Sequence, residues 1–569
     1  MRAFVAIASV SARLCRRIRP TTIPPTNPSV PTQRKHPGVY HDNGGGGVGA
    51  LPRPSDSAAL APLGGPPNPV QQYVDQRQQQ VTEALVDLLA GSLLDPGLVD
   101  TREFRRLLSL LDSGYEPPSA SQLVYGLLPG RRWGLQQRAM LLLETAQSVS
   151  LTQDVWLGHT SCVSVCAHFI LNWRLRTVFL AGRYFVDADP SESLHQLLTE
   201  ACPSMAWRTR WPTRRCTGRL GWPPPLDSKG PFCLEGLGCF AEALQLCVAE
   251  GLQDDLCLEG AVNKVSGLVD LARALPQGTL DGVRQAVEYG CSTWHGQLRV
   301  VRATANASLD TLQLAAPALG FVPEDVETLR ELAELMEPFE EAFNLSRGEG
   351  RITASYVVPC IRGLRAHLEA ARPFRLASAA GRLAAALGNR LAKFEASETF
   401  ALCSMLDPRF KLRWCSEEAE TRRLTALLGA KIRQAEGGGA NNGAGGGEDP
   451  PREEQRKSKL FRYMSGPETS QGEGPGTAAA HPQCWEVSSY LATPCLPEGG
   501  CPLEFWRQHQ GQYPKLAAMA GRMLGVPATA AHVLRMCRVG GRVANPADFR
   551  LNGVTFENLM FIKCNQGLR

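Results

Sequence analysis

Cys162, Cys166 and His168 are the first residues of this chain whose types and spacing suggest chemistry. Two thiols and an imidazole at even intervals form a set that could ligate zinc. The same intervals put all three on one face of a β-strand, and strand alternation accounts for them without a metal. The eighteen cysteines are scattered singly, as at Cys247, Cys257, Cys360 and Cys403, which reads as reduced, mostly buried thiols. No C-x-x-C pair occurs, so a zinc site of the usual spacing is absent. His159 and His532 stand alone, with no nucleophile or carboxylate at a telling distance, and take ordinary surface or core roles. The phosphate-loop, nucleophile-elbow, H-E-x-x-H and kinase signatures are missing. The glycine runs at Gly44 and Gly437 do not join a strand to a helix, so neither reads as a phosphate cradle. No cofactor, metal or small-molecule substrate is expected.

The elements that position these residues follow from periodicity. Val163, Val165, Ala167 and Phe169 alternate with Cys162, Ser164, Cys166 and His168, a period of two. A turn near Leu171-Asn172 leads into WRLRTVFLAGRYF, so Asp154 to Phe185 reads as consecutive antiparallel strands. Upstream the pattern is helical. Val81, Leu85, Leu88 and Leu89 share one face, and Phe104, Leu107, Leu108 and Leu111 share the face of a second helix that ends by Pro117 and Pro118. Helical spacing returns at Cys239 and persists to about Glu395. Its best stretch lines Val326, Leu329, Leu332, Leu335, Met336, Phe339 and Phe343 along a core face, with a kink expected at Pro338. From Ala206 to Phe232 there is no period at all, which reads as a long loop or an altered reading of the gene. Beyond Cys501, Phe505, Trp506, Tyr513, Leu516, Met519, Met523 and Leu524 suggest amphipathic helix. Phe556, Leu559, Met560 and Ile562 form a last apolar stripe.

Composition sets wider limits. At 569 residues and 43% apolar content the chain can bury at least one large core. No apolar run reaches the roughly 18 residues of a membrane-spanning helix, so no membrane partner is expected. A formal charge of +5 permits a DNA partner without requiring one. Residues 1–69 are rich in Pro and Gly and read as a disordered tail. The tail begins with Arg2, Arg13, Arg16, Arg17 and Arg19 and no acid, a loose imitation of a mitochondrial transit peptide. Gly437 to about Pro482 reads as a flexible insertion.

The run from Pro502 to Val543, followed by RLNGVTFENLMFIKCN, is similar to the C-terminal dimerisation region of hAT-family transposases and of the zinc finger BED domain proteins derived from them. Leu503, Trp506, Tyr513, Pro514, Leu516, Ala517, Pro527, Ala528, Thr529, Arg535, Gly541, Arg542, Arg550, Leu551, Leu559 and Asn565 fall where that pattern expects them. SLTQDVW at Ser150–Trp156 resembles the strand that carries the first acid of the transposase. CFAEALQLCVAEGL resembles its Cys-x-x-His helix, and LMEPFEEAF and SMLDPRFKLRW resemble its helical insertion and the return from it. The resemblance implies an α/β fold, an RNase H-like mixed sheet interrupted by a large all-helical insertion. The expected organisation is a tail at 1–69, a small helical region at 70–149, the first part of the RNase H-like domain at 150–235 and the helical insertion at 236–400. A return to the RNase H-like core at 401–434, a flexible linker at 435–500 and the dimerisation region at 501–569 complete it.

Such transposases hold two divalent cations with three carboxylates. The resemblance supplies one, Asp154, which is either a surviving catalytic carboxylate or a vestige that caps a strand. Asp227 lacks a matching context, and Val533-Leu534-Arg535 stands where the family has Ser-Glu-Arg, so Leu534 occupies the third acid's place. Glu242 stands at the histidine of the Cys-x-x-His pair. The BED finger spacing is absent from the first seventy residues, which leaves dispersed arginines for phosphate contacts. The expectation is a domesticated, catalytically inactive relative, nuclear and DNA-associated. It would self-associate as a homodimer or oligomer through Leu503, Phe505, Trp506, Tyr513, Leu516, Pro527, Arg535, Leu551, Leu559 and Phe561. The alternatives are an active metal-dependent nuclease using Asp154, and a degraded remnant without function.

Overall fold

The computed structural model of the chain describes residues 69–156, 161–185, 214–217, 235–272, 278–288, 294–348, 350–435, 460, 485–530, 538–539, 542–543 and 551–568. The tail at 1–68, His159, Asp227, His532, Leu534, Arg535 and most of the glycine-rich insertion lie outside them.

Three strands follow the alternation read from sequence: β1 (Ser150–Trp156), β2 (Ser161–Leu171) and β3 (Arg174–Phe185). The β2–β3 hairpin closes through Asn172 and Trp173, both at positive φ (51° and 56°), the left-handed pair of a type I′ turn. Two further strands lie beyond β1: β4 (Arg214–Thr217) runs parallel to it and β5 (Glu235–Leu237) parallel to β4. The sheet order is β3-β2-β1-β4-β5. β4 lies inside the stretch expected to be a loop. Four residues with two arginines are too short and too polar to show a period, and pairing with β1 fixes them.

Both sheet faces are covered, so the alternation in β2 separates two interiors rather than core from solvent. Val165, Ala167 and Phe169 join Val178 and Leu180 against α3 (Leu128–Thr145), whose Ala139 and Leu143 are buried there. Cys166 and Phe179 face the opposite way, into a cluster with Phe556, Leu559 and Phe561 of the last helix, α17 (Gly553–Cys564).

The helical insertion starts with α4 (Phe240–Gly251), α5 (Leu256–Leu271), α6 (Asp281–Glu288), α7 (Trp294–Ala305) and α8 (Leu309–Ala315). It continues through α9 (Pro323–Ser346), α10 (Val357–Ala370) and α11 (Ala377–Glu395). All seven apolar residues expected on the core face of α9 are buried, and the helix runs through Pro338 without a break. Between 401 and 434, where a return to the sheet was expected, the chain forms the end of α12 (Glu398–Met405), a series of turns and α13 (Glu418–Ala435), with no strand. The C-terminal unit also starts earlier than the expected 501. α14 (Trp485–Ala492) already buries Val487 and Tyr490 in the main core, ahead of α15 (Pro502–His509) and α16 (Pro514–Met523).

At the other end, α1 (Pro69–Ser92) buries Leu85 and Leu89 as expected, but Leu88 is 49% exposed. The second helix, α2 (Arg102–Leu111), departs further. It has no buried residue, and of the face Phe104, Leu107, Leu108 and Leu111 only Phe104 packs on the neighbouring core. Spacing correctly made it amphipathic, but spacing carries no information about what covers the apolar side.

Candidate functional site

The described part of the C-terminal segment that carries the resemblance packs in two places, in the main core beside the helical insertion and against β3 of the sheet. It is built from the start of α14 onward. Glu486, 5% exposed, accepts the backbone N–H groups of Lys515 and Leu516 at 3.0 Å each, a carboxylate capping the positive N-terminus of α16. Tyr490, Phe505, Trp506 and Tyr513 form an aromatic cluster, with Tyr490 and Trp506 centroids 5.0 Å apart. Their polar ends reach backward in sequence: Tyr490 Oη donates to Met405 O at 3.0 Å, and Trp506 Nε1 donates to Leu406 O at 2.7 Å. These two carbonyls end α12, where helix termini leave acceptors without intrahelical partners.

Below that contact lies a buried polar network that the residue reading did not single out. In the stretch LDPRFK, Asp407, Arg409 and Lys411 occur at alternate positions among apolar neighbours, and all three are buried. Asp407 accepts from Ser355 Oγ at 2.6 Å and from Arg409 through Nε at 2.9 Å and Nη2 at 2.6 Å. Arg409 also donates to Tyr356 Oη and lies 4.6 Å from that ring's centroid. Burial alone would favour loss of the Arg409 proton, but the Asp407 carboxylate outweighs it and holds the pKa above its ordinary value. Lys411, at φ 50°, donates to Tyr490 O at 2.6 Å and Thr493 Oγ1 at 2.6 Å, capping the end of α14, while burial pushes its pKa down to about 8. The signal available in sequence was the charge itself: ionisable residues at i, i+2 and i+4 in an apolar run must be paired if buried.

After α16 the chain crosses β2 at Gly525, where an added Cβ would lie 3.5 Å from the backbone of Phe169 and Ile170. Ala528 then joins both neighbours, its N–H donating to Thr353 Oγ1 at 3.0 Å and its C=O accepting from Phe240 N at 2.9 Å. Thr529 Oγ1 meets Cys239 Sγ at 3.0 Å, and burial raises the Cys239 pKa. The last contact is with the sheet edge. Asn565 Nδ2 donates to Phe179 O at 2.9 Å and its Oδ1 accepts from Phe179 N at 3.0 Å, beside the bulge where the β2–β3 register skips Leu180. One side-chain amide thus satisfies both backbone groups of an edge strand.

The expected association residues therefore sit inside the chain. Leu503, Phe505, Trp506, Tyr513, Leu516, Leu559 and Phe561 are buried in intrachain packing, and Pro527 and Leu551 are half-buried. They form a core, not an open face; Arg535 lies outside the described residues. Asp154 is on β1, the middle strand, with its backbone opposite Ser164. Both ring nitrogens of His168 are engaged within the sheet, with Thr152 Oγ1 at 2.8 Å and Thr177 Oγ1 at 3.0 Å, a cross-strand hydrogen-bonded row. Cys247, Cys360 and Cys403 are buried thiols outside any disulfide, but Cys257 is exposed in the first turn of α5. Among the described residues no group of three or more His, Cys, Asp or Glu is placed to hold a metal ion. No described helix is long and apolar enough to cross a membrane. A recess of about 440 Å³ at the end of β5 is lined by Lys393, Glu398 and Lys431, and its one acid is paired with Lys431 at 3.3 Å.

Residues 486–565 match the hAT family C-terminal dimerisation region, the span that begins at the capping Glu486 and ends at Asn565 on the sheet edge. Over 541 residues, 86% of this chain, the sequence is 20% identical to zinc finger BED domain-containing protein 4 of Homo sapiens. The matched stretch covers 43% of that relative, less than half its length. Together the two similarities support a transposase-derived protein.

Proposed function

We propose that the chain is a domesticated hAT transposase relative with an RNase H-like sheet, no longer catalytic, that self-associates and acts as a nuclear, DNA-associated regulatory factor. The observation that carries this reading is the hAT dimerisation match at 486–565, seated across both the sheet and the helical insertion. The sheet supports it too. Three antiparallel strands followed by two strands parallel to the first, in the order 3-2-1-4-5, make a mixed sheet of the kind the resemblance implies.

Loss of catalysis rests on the donor set. Two-metal phosphoryl transfer needs carboxylates converging from separate elements, and magnesium demands near-octahedral oxygen ligation. β1 carries Asp154, but β4 is Arg-Arg-Cys-Thr and the third acid's place holds Leu534. One carboxylate does not fit a two-metal site, so no chemical step is assigned. Incubation of supercoiled plasmid with magnesium or manganese is expected to give no nicking, with wild type and Asp154→Ala alike. Metal-dependent nicking lost in Asp154→Ala would establish the nuclease reading instead. The DNA-associated and nuclear roles rest on the similarity to a BED-type protein and on a net charge of +5 that allows phosphate contacts.

A further inference from the structure

We propose that the recess at the end of β5 is a phosphate-binding site, in which Lys393 and Lys431 supply positive charge and the first turn of α12 supplies N–H donors. The site stands apart from the self-association and DNA-associated readings.

The recess has a volume of about 440 Å³, within the range of pockets that hold small ligands. Four elements meet there: the chain after β5 at Leu237 and Gly238, the end of α11 at Lys393, the start of α12 from Ser397, and α13 at Lys431. β5 runs parallel to β4, and its carboxyl end is the side on which open α/β sheets hold their ligands. Gly238 lets the amine approach that end, since a Cβ there would lie 3.4 Å from Lys393 Nζ.

Charge and donor geometry identify the ligand. Lys393 enters no ion pair among the described residues, and its Nζ lies 5.4 Å from the Phe394 ring centroid. Burial lowers its pKa, while Glu242, which does not line the recess, acts the other way. Lys431 is paired with Glu398 at 3.3 Å, an ammonium with three donors meeting one carboxylate. α12 opens on the recess through its first turn, and Ser397 at its N-cap gives that turn no side-chain hydrogen bond. Glu398, the acid of the turn, is engaged by Lys431, so the positive end of the helix is left for an anion.

No arginine lines the recess, so the planar fork that matches a carboxylate is missing. Two point charges and a helix N-terminus, set on three separate elements, suit the spread oxygens of a phosphate instead.

Isothermal titration calorimetry of the full chain with inorganic phosphate, at ionic strength held constant with chloride, tests the site. Wild type is expected to bind phosphate saturably. Lys393→Gln and Lys431→Gln are each expected to weaken binding by about tenfold or more. Glu398→Gln removes a like charge and releases Lys431, and is expected to tighten binding; a purely structural ion pair would give no such gain. Circular dichroism is expected to be unchanged in all three, because none of these side chains is buried. Adenosine monophosphate and a short single-stranded DNA then distinguish a free nucleotide from a nucleic-acid strand as the source of the phosphate. Whichever displaces inorganic phosphate at the lower concentration is expected to lose affinity in Lys393→Gln. No saturable binding by wild type, or affinity unchanged in both lysine variants, would overturn the site and leave the self-association and DNA-associated readings untouched.

Discussion

α2 and the pair α15–α16 start from the same kind of sequence, short helices with leucine or aromatic residues at three- and four-residue spacing, yet one leaves its face open and the other loses every large apolar side chain to the interior. The difference lies in what surrounds them. Near Trp506 the chain offers acceptors at the end of α12, a carboxylate from Glu486 and a lysine cap from Lys411, so aromatic residues are both buried and hydrogen-bonded. Near α2 the chain supplies a single seat, for Phe104. A hydrophobic pattern fixes that a helix has an apolar side; partners distant in sequence decide whether that side is core or interface.

The contrast can be broken most severely by removing residues 485–569. That deletion uncovers α12, the edge of β3 and the cluster around Phe179. It is expected to abolish cooperative thermal unfolding, whereas deletion of an interface element would leave it intact. Next in size are single changes in the buried network. Asp407→Ala leaves Arg409 charged and unpaired in the interior and is expected to lower stability by about 3–5 kcal/mol. Trp506→Ala should cost a similar amount through its cavity and the orphaned Leu406 carbonyl, about 3–5 kcal/mol. Both are read from urea denaturation midpoints. Asn565→Ala, which exposes no large cavity but strands two backbone groups of Phe179, is expected to cost about 1–3 kcal/mol. On the other side of the comparison, each leucine-to-glutamate change on α2 should alter stability of the monomer by less than about 0.5 kcal/mol.

The smallest effect is electrostatic. Burial would raise the Glu395 pKa, but the Arg365 and Arg362 guanidiniums overcome it and hold it below the ordinary 4.5. The folded state therefore binds this proton less readily than the unfolded chain. Its stabilisation is present above about pH 4.5 and is lost as pH falls through the depressed value. In acid denaturation, Glu395→Gln is expected to show a shallower fall in stability below pH 4.5 than wild type.

How much of this was legible depended on range. The antiparallel strands were visible because Val163 to Phe169 alternate locally, and α9 because seven apolar residues, Val326 to Phe343, share a face over about five turns. β4 was not visible, since Arg214 to Thr217 become a strand only by pairing with β1, some sixty residues earlier. The C-terminal segment was found through its resemblance, but spacing did not show that Trp506, Leu516 and Leu559, read as association residues, are buried within the chain. Asp407, Arg409 and Lys411 could have been noticed as charges in an apolar run, while their partners Ser355, Tyr356 and Thr493 come from separate stretches of the chain.

The proposal to test is that a transposase-derived fold self-associates while keeping Asp154 as the one recognisable carboxylate of the metal-binding set. Its most direct test is the molar mass of the full chain by light scattering at micromolar concentration and physiological salt. A mass of twice 61.7 kDa is the predicted result. A single 61.7 kDa species that stays monomeric as concentration rises tenfold would contradict it.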